Sequence, residues 1–330
     1  MADNGIPIIG PILNKIIGTR NERFVKKYNQ RVREISALEP EIRRLTDSQL
    51  RGKIAEFRGR HDQGAKSDDL MVEAFAVARE AMDRGVGIRA IFNPRFEFDA
   101  SALSPAMRDL YERTRASMAL LPVIVPRTFQ PTASQAAPPD GVPDTSNEYL
   151  GCTTLIEGWM QADIDLELYE AVRALFPESR PPFRARPFDV QLIGGMVLTQ
   201  GKIAEMRTGE GKTIVAPLAT YLACCERLRV HVVTVNDYLV QRDRDWTFPF
   251  FRSLGLTVGA IHPQHMQDES QKRFMYRCDV TYGTTAEFGF DYLRDNMKRS
   301  VEQQVQKRRQ FAIVDRSEER RVGKECRSRW

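Results

Sequence analysis

From Pro187 onward the chain alternates short apolar, β-branched runs with longer stretches of helical spacing, and this most restricts the folds open to it. "KIAEM" is followed by "TIVAPLATYLACCER", "VHVVTVN" by "DYLVQRDRDWTFPFFRSLG", and "LTVGAI" by "QDESQKRFMYRC". "DVTYGT" is then followed by "AEFGFDYLRDNM", and "QFAIVD" closes the series. Such βα alternation predicts a parallel sheet covered by helices on both faces, an α/β fold. Ligands in that architecture bind at the carboxyl ends of the strands.

Two elements fall at such ends. The first is "RTGEGKT", Arg207 to Thr213, between an expected strand and an expected helix. A Gly-Lys-Thr in that setting is a phosphate-binding loop. Glycines let backbone N–H groups curl around an anion, and the helix N-terminus adds partial positive charge. Lys212 would reach the β- and γ-phosphates and Thr213 would hold Mg²⁺. The strict motif asks for glycine five positions before Gly211, where this chain has Met206; Gly209 is the other glycine of the loop. The second element is "FAIVD", an apolar run ending in Asp315, 103 residues after Lys212. A carboxylate there fits the role of holding the magnesium, with a turn cap as the alternative.

The first 89 residues read as helical. "LTDSQLRGKIAEFRGR" opens with a capping box, Thr46 with Gln49, and continues with Leu50, Ile54 and Phe57 at helical spacing. Ahead of it, Phe24, Tyr28, Val32 and Ile35 share a face, basic residues fill the other, and Pro40 predicts a break. That basic face is a solvated surface or a dock for acidic lipid or a partner. "MVEAFAVAREAMDRGVGIR" predicts a further helix ended by Gly85 and Gly87. Residues 90–186 differ: two amphipathic helices flank "PRTFQPTASQAAPPDGVPDTSNEY", giving a loop-rich helical insertion. Asp163, Asp165 and Glu167 could suggest a metal site, but acids alternating along a helix point apart and fit a solvated face.

Composition removes several classes. Six basic and three acidic residues from Arg316 to Trp330 account for +3 of the formal +5 charge. The remainder, at +2, gives no global case for nucleic-acid binding. Cys152, Cys224, Cys225, Cys278 and Cys326 show no CxxC spacing, so reduced, buried thiols are expected. The N-terminal apolar patch, interrupted by prolines and a lysine, reads as neither a signal peptide nor a membrane span.

Long motifs in order carry a resemblance. "FDVQLIGGMVL" ahead of "AEMRTGEGKT", followed by "HVVTVNDYL" and "YGTTAEFGFDYLRDNM", is similar to the SecA family, the ATP-driven motor of bacterial preprotein export. The resemblance covers about residues 5–89 and 187–315 and implies a RecA-like P-loop NTPase domain, with the insertion as a departure. It implies ATP and Mg²⁺ as cofactors. It makes Gln191 the adenine-reading glutamine and Arg207, Thr208, Gly209, Glu210, Gly211, Lys212 and Thr213 the nucleotide loop. Asp315 becomes the first acid of a DExD-like magnesium motif. Arg242 matches a motif arginine near the nucleotide, although pairing with Asp237 or Asp245 fits it equally well. The implied partners are the SecYEG channel, unfolded preproteins and anionic phospholipids, with a homodimer as the full-length assembly and no nucleic acid. The implied location is cytoplasmic, at the inner face of the bacterial inner membrane.

One departure bears on catalysis. The family continues past this aspartate with a glutamate that polarises water, and this chain has Arg316, which cannot accept a proton at neutral pH. The run "RSEERRVGKECRSRW" also resembles the translation of a sequencing adapter. The expectation is therefore a native sequence ending at Asp315 and a 330-residue chain deficient in hydrolysis. A helicase motor domain and a non-enzymatic docking fragment stay open as alternative readings.

Overall fold

The computed structural model describes residues 20–123, 156–207 and 209–315. Thr208, Cys152, Cys326 and the 316–330 tail lie outside the described residues, as does the side chain of Phe24.

Three long helices open the described chain: α1 (Arg20–Ile42), α2 (Asp47–Asp62) and α3 (Ser67–Met82). Tyr28, Val32 and Ile35 are buried along α1 as their spacing predicts. Pro40 does not break that helix, which continues to Ile42. α2 begins where expected: Thr46 Oγ1 accepts from Gln49 N (3.2 Å), and Gln49 Oε1 accepts from Thr46 N (2.8 Å). α3 stops at Met82 and passes into one π turn, Asp83–Gly87, and a 3₁₀ turn, Ile88–Phe92.

A small second core follows. α4 (Pro105–Ala119), the single turn α5 (Gly158–Gln161) and α6 (Leu166–Leu175) surround Ile88, Phe92, Tyr111, Leu168 and Val172. Asp163 and Asp165 precede α6 rather than lying on it, so the expected run of helical acids is confined to Glu167. Asp163 pairs with Arg51 at 3.3 Å. Among the described residues no group of His, Cys, Asp and Glu is arranged to hold a metal.

The rest is the α/β unit. It comprises α7 (Asp189–Thr199), α8 (Lys212–Cys225), β1 (Val230–Thr234) and α9 (Asp237–Ser253). Then come β2 (Val258–Ala260), α10 (Glu269–Met275), β3 (Val280–Thr284), α11 (Thr285–Asn296) and β4 (Phe311–Val314). The sheet is wholly parallel with strand order β2-β3-β1-β4. All five residues of β1 and of β3 are buried, as parallel strands covered by helices require.

One expected strand is absent. Residues 202–206, "KIAEM", form no strand, and Ile203 is 90% exposed. A five-residue strand gains its stability from a neighbouring ladder. On its side away from β1, β4 has no hydrogen-bonded neighbour among the described strands.

The core joins the N-terminal helices to the sheet. α1 and α3 pack on α7 and α8, and α8 lies against β1 and β4. Cys224, Cys225 and Cys278 are buried free thiols within these layers. Burial pushes all three thiols up, Cys278 to about 12. Among the described residues no helix is long and apolar enough to cross a membrane.

A candidate nucleotide site around the 207–213 loop

The loop closes onto α8 through Gly211, whose φ of 71° and ψ of 47° lie in the left-handed region. Any side chain there would be strained, and a Cβ would stand 2.5 Å from Gln191 Nε2. Lys212 and Thr213 are the first two residues of α8, so both follow directly on the helix N-terminus. The amides of that first turn lack intrahelical acceptors and carry the positive end of the helix dipole.

Two contacts shape the loop from within and from behind. Glu210 Oε2 accepts from Arg207 N at 2.9 Å, so a loop amide already faces a negatively charged oxygen. Gln191 is 2% exposed, and its Nε2 donates to Glu210 O at 2.8 Å and, more weakly, to Gly211 O at 3.4 Å. Its Oε1 accepts from Phe188 N at 2.8 Å, completing a cap at the start of α7. One buried side chain therefore ties α7 to the backbone of the 207–213 loop. α7 and α8 approach closely: a Cβ at Gly194 would meet Val215 and one at Gly195 would meet Leu218, while Phe75 of α3 crowds Gly195 as well.

Asp315 follows β4 directly. Val314 pairs with Val233 in the parallel ladder, and Asp315 N donates to Val233 O at 2.9 Å. The lead-in to β4 is fixed by Asp295, whose buried carboxylate accepts from Val305 N and Gln306 N, both at 2.8 Å. The elements bearing Lys212 and Asp315 are thus packed together, since α8 rests on β4. Arg242 is half exposed and pairs with its own neighbour Asp243, at 2.6 Å, in place of Asp237 or Asp245.

Behind Gln191 stands a cluster that the sequence did not single out. Arg79 on α3 is 3% exposed. Its guanidinium donates to Pro187 O (3.1 Å), Asp189 Oδ1 (3.0 Å) and Ser36 Oγ (3.1 Å). Glu39 on α1 accepts two bonds from Arg186, at 2.8 and 2.6 Å, and one from Arg43 at 2.5 Å. Burial alone would raise the Glu39 pKa. The Arg186 hydrogen bonds and the charges of Arg186, Arg43 and Arg79 instead bring it down to about 2. A lone arginine inside the apolar run "EAFAVAREAM" was the available signal.

The SecA DEAD-like domain family model matches residues 13–93 and 154–319, about three quarters of the chain. The chain belongs to that family. It is 38% identical over 308 residues to the protein translocase subunit SecA of Dechloromonas aromatica, covering 93% of this chain and 23% of that protein. It is 37% identical over 304 residues to its namesake in Syntrophus aciditrophicus, covering 92% and 24%. A third relative with this name, from Syntrophotalea carbinolica, is 38% identical over 304 residues, covering 92% and 23%. The chain therefore spans about a quarter of the length of the curated relatives it matches. Membership in this family does not favour the helicase reading.

Proposed function

We propose that this chain is the nucleotide-binding part of a SecA-type motor, which uses ATP to move unfolded preproteins through the SecYEG channel. The proposed division has helices in residues 1–89, an insertion at 90–186, the P-loop domain at 187–315 and a non-native tail beyond. The whole protein would work from the cytoplasm at the inner face of the bacterial inner membrane, in contact with anionic phospholipids and as a homodimer.

The observation that carries this reading is the Gln191–Glu210 hydrogen bond, which joins a candidate base-reading amide to a loop built for phosphate. The residues fit magnesium–ATP. The loop presents an amide that already takes an anionic acceptor, Gly211 turns the backbone, and Lys212 and Thr213 head a helix N-terminus. Lys212 would bind the phosphates, Thr213 and Asp315 would hold Mg²⁺, and the 207–211 backbone would cradle the charge. Gln191 would offer adenine the second lone pair of Oε1 and the Nε2 hydrogen that Gly211 O holds only weakly, and Arg242 would stand at the margin of the site, exchanging Asp243 for phosphate. When bound, the nucleotide supplies the phosphoryl bond whose cleavage drives the motor. Arg316 stands where the resemblance asks for a water-polarising glutamate, so the 330-residue chain binds nucleotide and does not turn it over.

Titration with a fluorescent ADP analogue tests the site. Lys212→Ala is expected to weaken binding by about tenfold or more, equivalent to roughly 1.4 kcal/mol, and Asp315→Asn to remove the Mg²⁺ dependence. Equal affinity in the Lys212→Ala protein would overturn the nucleotide reading. Phosphate release by the unsubstituted chain, lost on Lys212→Ala, would overturn its hydrolytic deficiency.

A further inference from the structure

We infer that Arg79 is a positioning residue for base selectivity: its grip on Pro187 and Asp189 sets where the Gln191 amide stands. The inference rests on the reading of Gln191 given under Proposed function.

The geometry leaves little slack. Arg79 holds the Pro187 carbonyl and the Asp189 carboxylate, two points that bracket Phe188. The Phe188 N–H holds Gln191 Oε1, and Gln191 Nε2 holds the Glu210 carbonyl. Four hydrogen bonds thus run from α3 to the phosphate loop across residues 187–191. The same segment is pinned from α1, where Glu39 takes both arms of Arg186. A shift of α3 would be passed to the 187–191 backbone through the Arg79 side chain alone, and a shift of α1 through Glu39 and Arg186.

The choice of residue supports a geometric role. An arginine buried inside an apolar helix pays a desolvation cost that a well-packed apolar side chain would avoid. What arginine adds is a planar fork with donors in fixed directions, here spent on three separate elements. The Asp189 side chain is itself 64% exposed, so its bond to Arg79 contributes orientation more than stability.

Competition by ADP and GDP, followed by ligand-observed NMR on the 330-residue chain, reads the effect into the millimolar range. A site that hydrogen-bonds one base edge should prefer ADP by about tenfold or more. Arg79→Met is expected to bring that preference below about threefold while inorganic pyrophosphate binding is unchanged, because the loop amides and Lys212 remain. Arg79→Lys, which keeps the charge and loses the fork, should fall between. Asp189→Asn alters only an exposed carboxylate; it keeps the fold if Arg79→Met does not, and should lower the preference in the same direction.

The outcomes separate the two readings. If Gln191→Ala abolishes the preference while Arg79→Met and Asp189→Asn retain it, the positioning role is refuted and the adenine reading stands. If Gln191→Ala retains the preference, or the unsubstituted chain shows none, the adenine reading itself falls and the inference falls with it. A parallel loss of pyrophosphate binding in Arg79→Met would make Arg79 a support of the whole loop and would also overturn the inference.

Discussion

Around the sheet, Val230, Val232, Leu222, Val258, Val280 and Ile313 are buried against one another with scarcely a charge among them. Where α3 ends, three carboxylates and four guanidinium groups are buried together. Asp47 accepts from Arg84 (3.0 Å), Arg89 (3.1 Å) and the Tyr169 hydroxyl (2.9 Å). Glu80 takes Arg84 and Arg173, both at 2.6 Å. Asp83 takes Arg184 (2.9 Å), the Ala185 amide (3.2 Å) and, at 3.4 Å, Arg173. Burial and the nearby Asp47 charge push the Tyr169 phenol upward, so it stays a donor. The apolar layer is tolerant of small shifts, since dispersion and burial are non-directional. The ionic junction is stable only with every partner in place.

That difference can be broken by mutation. The largest effect is expected at the junction, where Asp83→Ala would leave Arg173 and Arg184 facing each other without their shared carboxylate. A loss of about 3–5 kcal/mol in chemical denaturation is expected. Leu222→Ala in the sheet layer should cost roughly 3 kcal/mol by the same measurement, through lost burial and a cavity. A larger cost for Leu222→Ala than for Asp83→Ala would reverse the ranking of the two regions.

A pH titration sharpens the comparison, because a histidine lies in the inner strand β1 of the sheet. His231 on β1 stacks on Phe288 with ring centroids 4.8 Å apart, and burial, with Arg309 and Arg229 nearby, lowers its pKa to about 4. The folded imidazole is neutral where the unfolded one, with a pKa of 6.5, takes a proton. Stability from this group should therefore be full above pH 6.5, fall as pH drops, and level off below 4, a total of about 3 kcal/mol. His231→Phe should flatten that slope in thermal melts across pH 4–7. The smallest effect belongs to the α2 cap: Thr46→Ala should cost about 1 kcal/mol by denaturant midpoint.

The two regions also differ in how much of them could be read in advance. β-branched runs between helical stretches announced β1, β2, β3 and β4, because apolar burial leaves a periodic trace. The strand expected at "KIAEM" failed because local pattern does not encode a pairing neighbour. Pro40 failed as a break because it lies in the last turn of α1, where tertiary packing can hold the backbone. At the junction, Arg84, Arg89, Arg173 and Arg184 sit at spacings that a solvated face would also show. Only the fold brings their carboxylates to them. In the site, the glycines and Lys212 carry their chemistry in sequence. The Gln191–Glu210, Arg79–Asp189 and Glu39–Arg186 bonds join residues 19, 110 and 147 apart, and no local pattern reports such distances.

The neighbouring thiols Cys224 and Cys225 close α8, buried and held protonated. An alkylating reagent therefore meets them only when α8 lifts from the sheet. With Cys152 and Cys326 replaced by serine and Cys278 by alanine, the labelling rate of the two remaining thiols becomes a clock for that opening, timed at the helix that begins with Lys212.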